Sequence, residues 1–403
     1  MTMIVLAIVG LVIAAIILVP RLLHFPLSMF DVDAVISDAA TEPGDLPDQR
    51  SFSMGFVYQP YAWNDAAFTE TADLIFKHGD HITIFHDVGI PWEEALTGNP
   101  YPADLEKQIE RELAVTKRFS DTGFVVSFLG SDRRHLSQNL GPSGTENRSG
   151  DWATRDFNHP EVNKAFLNYC RDMIERFQPR GLCYLAEVDS AMTDVNDPDF
   201  KKVLAMSQVV YSTLKTEHPD IKVFAEFNLG DEAYMDKRRD VIEAMLPWTD
   251  LFALSVYPAS YDSIGGNGAK VTDEWFDLAK EISGDKPIAI LETAFPAEPS
   301  MHPTLGIRIQ GESKRLLIPG GPKSQALYIK TLLESANRLD MEFVNLWTVR
   351  DMDELFDTLA NGQNEFADPL WRLVQDTGLY DEIGKPRRSL DVWEAWRNVK
   401  RNE

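Results

Sequence analysis

Gly181-Leu182-Cys183-Tyr184-Leu185-Ala186-Glu187 and Pro287-Ile288-Ala289-Ile290-Leu291-Glu292 decide the fold. Each is a short apolar run closing on a glutamate. Unbroken apolar runs of strand length, as opposed to alternating ones, belong to strands buried on both faces, as in a parallel sheet covered by helices. Six more such runs lie near 53–58, 82–86, 123–129, 221–227, 251–257 and 342–347. Amphipathic stretches separate most of them. Between Lys323 and Leu339, the side chains of Ala326, Leu327, Ile329, Leu332, Leu333, Ala336 and Leu339 recur at helical spacing. Asn158-His159-Pro160-Glu161 opens another helix with proline in its first turn, and Pro179 stops it. Eight strand–helix units over about 350 residues predict an α/β chain folded as a (β/α)8 TIM barrel. An open doubly wound sheet would place a glycine fingerprint after its first strand. Here that strand runs Met54-Gly55-Phe56-Val57-Tyr58-Gln59-Pro60.

The remaining sequence bounds the function. The formal net charge of −24 disfavours nucleic acid and polyanionic substrates and suits a neutral one. Cys170 and Cys183 lack metal-ligand spacing and read as buried free thiols. The eight histidines are scattered, and there is no His-Glu-x-x-His, Gly-x-Ser-x-Gly or phosphate loop. No cofactor, metal or obligate protein partner is expected. Asn147-Arg148-Ser149 matches a glycosylation sequon, a common chance occurrence. Ile4 through Pro20 carries no charge, so residues 1–24 predict a membrane anchor or signal segment. Arg21, on its C-terminal side, runs against the positive-inside rule for an exported domain. A polar, Pro- and Gly-bearing linker is expected over 25–50 and the barrel over 51–403. The location implied is extracytoplasmic, either anchored or secreted.

A carboxylate at the C-terminal end of a barrel strand points into the mouth where barrel active sites form. Glu187 and Glu292 end the fourth and seventh runs. A pair of carboxyls about 5–5.5 Å apart, one acid/base and one nucleophile, is what hydrolysis of a glycosidic bond with retention requires. Tyr257, ending the sixth strand, is placed to bond the seventh-strand carboxylate. Trp347, ending the eighth, offers an apolar face for a sugar ring. His86, Asp87 and Trp92 follow the second strand and Trp63 the first, and all four are candidates for sugar contacts. Asp132, Arg133 and Arg134 follow the third strand at the same face. Arg350 and Asp351 follow the eighth, placed to recognise a decorated sugar or to pair with each other. Trp248, Trp275, Trp371, Trp393 and Trp396 fall where packing is expected. The long segments 130–158 and 293–321 would wall the active-site face.

These motifs resemble glycoside hydrolase clan A, the retaining barrel glycosidases with catalytic glutamates on strands four and seven. Glu292-Thr293-Ala294-Phe295-Pro296 and Ser255-Val256-Tyr257-Pro258 are similar to the arabinogalactan endo-β-1,4-galactanases. Gly378-Leu379-Tyr380 with Gly384-Lys385-Pro386 resembles the closing segment of such enzymes. The likeness covers strands four to eight. It implies a carbohydrate substrate, Glu187 as acid/base and Glu292 as nucleophile. One position departs from the clan pattern. The clan has asparagine before the acid/base, where it holds the sugar 2-hydroxyl, and this chain has Ala186. Asn228 and Asn345 are the candidate substitutes. Ala186 also keeps open a second class, a non-catalytic, membrane-tethered carbohydrate-binding protein on a glycosidase-like barrel. A third expectation is a barrel hydrolase that uses Asp87, Asp189 or Glu226.

Overall fold

The computed structural model describes residues 32–141, 144–261, 263–264, 266–301, 308–309, 312–313, 317–318, 320–361 and 373–402. Eight parallel strands close into a barrel. They are β1 (Ser53–Val57), β2 (His81–His86), β3 (Thr122–Val126), β4 (Gly181–Leu185), β5 (Lys222–Asn228), β6 (Phe252–Val256), β7 (Ile288–Thr293) and β8 (Phe343–Leu346). Each coincides with one of the eight apolar runs. They pair in chain order, and β8 closes the ring against β1 through Phe343↔Ser53 to Leu346↔Phe56. Gly55 permits that closure. A Cβ there would lie 2.3 Å from the His81 carbonyl oxygen and 2.6 Å from Asn345 Oδ1.

The principal helices after successive strands are α1 (Asp65–His78), α2 (Ala103–Thr116), α3 (Pro160–Phe177), α4 (Pro198–Glu217), α5 (Arg239–Met245), α6 (Asp273–Ser283), α7 (Pro322–Arg338) and α8 (Arg388–Arg397). The caps agree with the sequence reading of α3. His159 accepts from the Glu161 N–H at its start, and Gln178 takes a left-handed conformation at its end. On α7, Ala326, Ile329, Leu332, Leu333 and Ala336 are buried as their spacing predicts. Each of its fully buried leucines contributes roughly 1.5–3 kcal/mol. Both cysteines are free and buried.

Of the stretch expected to be a linker, residues 32–50 are described, and they are docked on the barrel. The Asp33 carboxylate accepts from the Lys323 and Ser324 N–H groups, two of the donors left over at the start of α7. Gln49–Arg50 forms a parallel ladder with Lys400–Arg401, and the Arg50 side chain is buried. The apolar stretch 4–20 and Trp371 lie outside the described residues. Among the described residues, no helix is long and apolar enough to cross a membrane.

Two breaks in strand register matter for function. Side chains alternate in and out along a strand. Inside the barrel, Val125, Cys183, Phe224, Leu251, Ala253, Ala289 and Leu291 pack together. Regular alternation on β7 would therefore place Thr293 inside and Glu292 outside. The register against β6 slips between Ile290 and Glu292, so Glu292 pairs with Ser255. Thr293 instead bonds Tyr328 of α7, outside the barrel. On β4 the register against β5 slips between Cys183 and Leu185. The chain then turns at Glu187 with φ 44°, a left-handed conformation rare for a side chain of this kind.

Candidate active site

The two slips aim both glutamates at one serine. Ser255 Oγ on β6 lies 3.0 Å from Glu187 Oε1 and 3.0 Å from Glu292 Oε1. The two carboxyl oxygens are therefore no more than twice that distance apart. Glu292 is 7% exposed and Glu187 keeps 20% of its side chain open. Tyr257 is half-buried, and its hydroxyl bonds Glu292 as its strand position predicts.

Charge in the site is unbalanced. Asp87, Glu187, Glu226 and Glu292 come together around Arg133, from the segment after β3. Its Nε donates to Glu187 Oε2 at 3.0 Å, and a second guanidinium nitrogen donates to Asp87 Oδ2 at 3.0 Å. Burial opposes the Arg133 charge, but Glu187 and Asp87 outweigh it and hold its proton more tightly. Arg133 has φ 53°, so the two partners of this ion pair are two of the four non-glycine residues with positive φ among the described residues. Strain of this kind gathers at functional sites. Burial, with Glu187 and Asp87 adding repulsion, pushes the Glu292 carboxyl up to about 8, and Arg133 and Ser255 pull against that rise. Glu226 is pushed well above its ordinary value by burial, then by Glu292 and Glu187. Its Oε1 has no hydrogen-bond partner among the described residues.

Replacing Arg133 by methionine should leave Asp87 and Glu187 uncompensated. We expect a loss of about 2–4 kcal/mol, read as a lower urea midpoint at pH 7. An unchanged midpoint would show that the bridge contributes nothing to stability.

Other expected contacts are placed differently. His86 is a correction. It points away from the barrel axis, with Nδ1 2.8 Å from Tyr169 Oη on α3 and Nε2 2.7 Å from Glu112 on α2. β2 keeps strict alternation, so Phe85 takes the interior position and its neighbour is turned out. Trp92 is the second correction. It is fully buried, donates Nε1–H to the Ser137 carbonyl and stacks on Trp152. It supports the loop after β3 and has no surface left for a sugar. Trp347 is partly buried and meets Phe85 edge-on, at 5.6 Å between ring centroids. Trp63, 66% exposed, stands on the connection between β1 and α1 and touches Phe68 by its edge.

Asn228 donates its side-chain amide to Asp189 and Ser190, and Asn345 donates to Thr83 and Leu291 inside the barrel. The Asp189 carboxyl is buried, which pushes it up to about 6. Arg134 reaches Asp197 and Asp199, and Asp132 pairs with His135. Arg350 and Asp351 do not pair with each other. Arg350 bridges Glu70 and the Glu382 carbonyl, and Asp351 is buried against Arg387. Asp351, Asp353 and Asp376 could converge on a cation, as could Glu298, Asp351 and Glu382, but Arg387 already supplies positive charge to Asp351 and Glu298. Trp393 and Trp396 are buried, as their helical positions predict.

Sequence reading did not single out Ser255. Its signals were its place two residues before Tyr257, on the same face of β6, and its membership of the Ser255-Val256-Tyr257-Pro258 motif. Arg133 stood among several charged residues after the third strand, and nothing in the sequence pointed it at Glu187.

No protein-family model matches the chain, and no curated protein matches it. Solved structures do. A GH5_18 variant from Streptomyces cattleya in complex with Manβ1-4GlcNAc is similar at 15% identity, covering 86% of this chain and 80% of that one, with a TM-score of 0.55. A GH5_18 protein from Bifidobacterium longum subsp. infantis is 13% identical over 88% of this chain and 80% of its own, with a TM-score of 0.56. The GH53 catalytic domain of Ignisphaera aggregans is 15% identical over 90% of this chain and 99% of its own, with a TM-score of 0.55. The likeness is one of fold: these glycoside hydrolases share the (β/α)8 barrel seen here. GH53 is the galactanase family, which the strand-six and strand-seven motifs resemble.

Proposed function

We propose that this chain is a glycoside hydrolase that cleaves a β-linked oligo- or polysaccharide with retention of configuration. The observation that carries the reading is the shared contact of Glu187 and Glu292 with Ser255. It holds the nearer oxygens of the two carboxyls to no more than twice 3.0 Å apart, short of the roughly 6.5–9.5 Å that inverting enzymes need for a water and compatible with the about 5–5.5 Å of retaining ones. Glu292 Oε attacks the anomeric carbon as Glu187 protonates the leaving oxygen. Glu187 then takes a proton from the water that releases the sugar. The Tyr257 bond to Glu292 supports the nucleophile role by holding that carboxylate in line. Trp347 and Trp63 are the aromatic surfaces for sugar rings, Asp87 lines the site beside Arg133, and Asn228 orders its β5 wall.

The test is hydrolysis by the full chain of aryl β-galactosides, β-mannosides and β-glucosides and of β-1,4-linked galactan and mannan. Mannosides belong in the panel because two of the similar structures hold Manβ1-4GlcNAc. Proton NMR of the first product should show the β-anomer. An α-anomer formed first would rule out retention. Ala186 favours a second reading, a carbohydrate-binding barrel without turnover. Glycan binding without product from any substrate would establish it.

A further inference from the structure

We propose that Ser255 is a proton relay between the two glutamates, carrying the proton they share from Glu292, where the resting site holds it, to Glu187, where hydrolysis uses it. This rests on the reading of Glu187 as acid/base and Glu292 as nucleophile. A serine hydroxyl has one proton to donate and lone pairs to accept with. It cannot donate to two carboxylates at once, yet Oγ lies 3.0 Å from an oxygen of each. Both contacts are hydrogen bonds only if at least one carboxyl is protonated and donates to Ser255 while the other accepts from it.

Arg133 decides which is which. Among the described residues it is the one cation within ion-pair distance of either glutamate, and it sits on Glu187. The other ionisable groups facing the pair are acids. Asp87 comes from the end of β2, Glu226 from β5 and Tyr257 from β6, and Tyr234 and Tyr261, from the segments after β5 and β6, act on Glu187. The anion therefore rests on Glu187 and the proton on Glu292. That is the reverse of what attack by Glu292 requires. Ser255 is 1% exposed, so bulk water has little access to its hydroxyl. The exchange is balanced. The Glu292 carboxyl proton passes to Ser255 Oγ as the Oγ–H proton passes to Glu187 Oε1. One acid becomes a carboxylate, one carboxylate becomes an acid, and the serine is unchanged. Positive charge developing at the anomeric carbon favours the anion on Glu292. A leaving-group oxygen that takes the place of Arg133 at Glu187 removes what held the anion there.

The test is titration of the glutamate carboxyl carbons by 13C NMR in the full chain, with Glu187→Gln and Glu292→Gln assigning the signals. The bridge stabilises the one-proton state of the pair and so spreads its two titration steps. In Ser255→Ala the steps should draw together by roughly one to two pH units, the worth of a hydrogen bond to a charged group. Ser255→Thr, which keeps the hydroxyl, should restore the spread. An unchanged spread in a folded Ser255→Ala chain would overturn the relay, as would a threonine variant that behaves like alanine. The titration needs no substrate. A chain that hydrolyses nothing but titrates as described would refute the functional reading and leave the shared proton standing.

Discussion

Replacing Glu292 by alanine should lower kcat by roughly 10^5-fold, the scale on which a covalent nucleophile acts. Azide should then restore turnover by entering the space the carboxylate left, on the α face, and release an α-glycosyl azide. Glu187→Ala should also lose activity, but its rescue should give the β-glycosyl azide, because there the glycosyl–enzyme ester still forms and azide takes the place of the general-base water. The two products distinguish the two roles on one substrate. Swapped products would exchange the assignments. Full activity in either variant would move the chemistry to Asp87, Asp189 or Glu226, of which Asp87 and Glu226 lie around the same pair. The arrangement makes this a demanding test, because Arg133 pairs with Glu187 and not with Glu292.

The second large effect is on stability against pH. The Glu292 carboxyl is raised to about 8 by burial and by its acidic neighbours. A group whose folded value lies above its unfolded one contributes stability that is complete below the unfolded value, about 4.5 here. That contribution is lost as pH rises through the folded value. Asp376 and Asp351, pushed by burial to about 7 and about 8, act in the same direction. Asp156 and Asp250 are held below their ordinary values and act oppositely, at the acid end. The wild-type chain should therefore be most stable near pH 5 and weaken toward pH 9. Glu292→Gln carries no charge at any pH and should flatten that fall. We expect it to exceed wild type at pH 9 by about 2–4 kcal/mol, a Tm higher by roughly 2–5 °C, and to match it at pH 5. Equal thermal scans at pH 9 would mean that the ionised Glu292 is well accommodated.

The two predictions draw on different kinds of information. That Glu187 and Glu292 would meet was legible in the chain, because each ends an unbroken apolar run and a barrel gathers such strand ends at one mouth. Tyr257 was legible for the same reason. His86 and Trp92 were misread because position after a strand does not give direction. Outside the barrel, α2 and α3 offered His86 two buried partners, and the loop after β3 offered Trp92 a carbonyl and a second indole. The docking of segment 32–50 was not legible in its composition. Its polar residues include Asp33, which caps a helix nearly three hundred residues away.

By itself the sequence determined the barrel, because the eight apolar runs can be buried only with helices on one side and each other on the other. It also determined which strands end on carboxylates. The tertiary structure alone decided which charged groups share the site. Two register slips turn Glu292 inward and Glu187 back on itself, and neither slip leaves a mark in the apolar pattern. They bring four carboxyls, one guanidinium and one hydroxyl within reach of each other from six different strands and loops. The proton distribution among those groups depends on angstrom-scale separations across the barrel mouth, which no local stretch of sequence encodes.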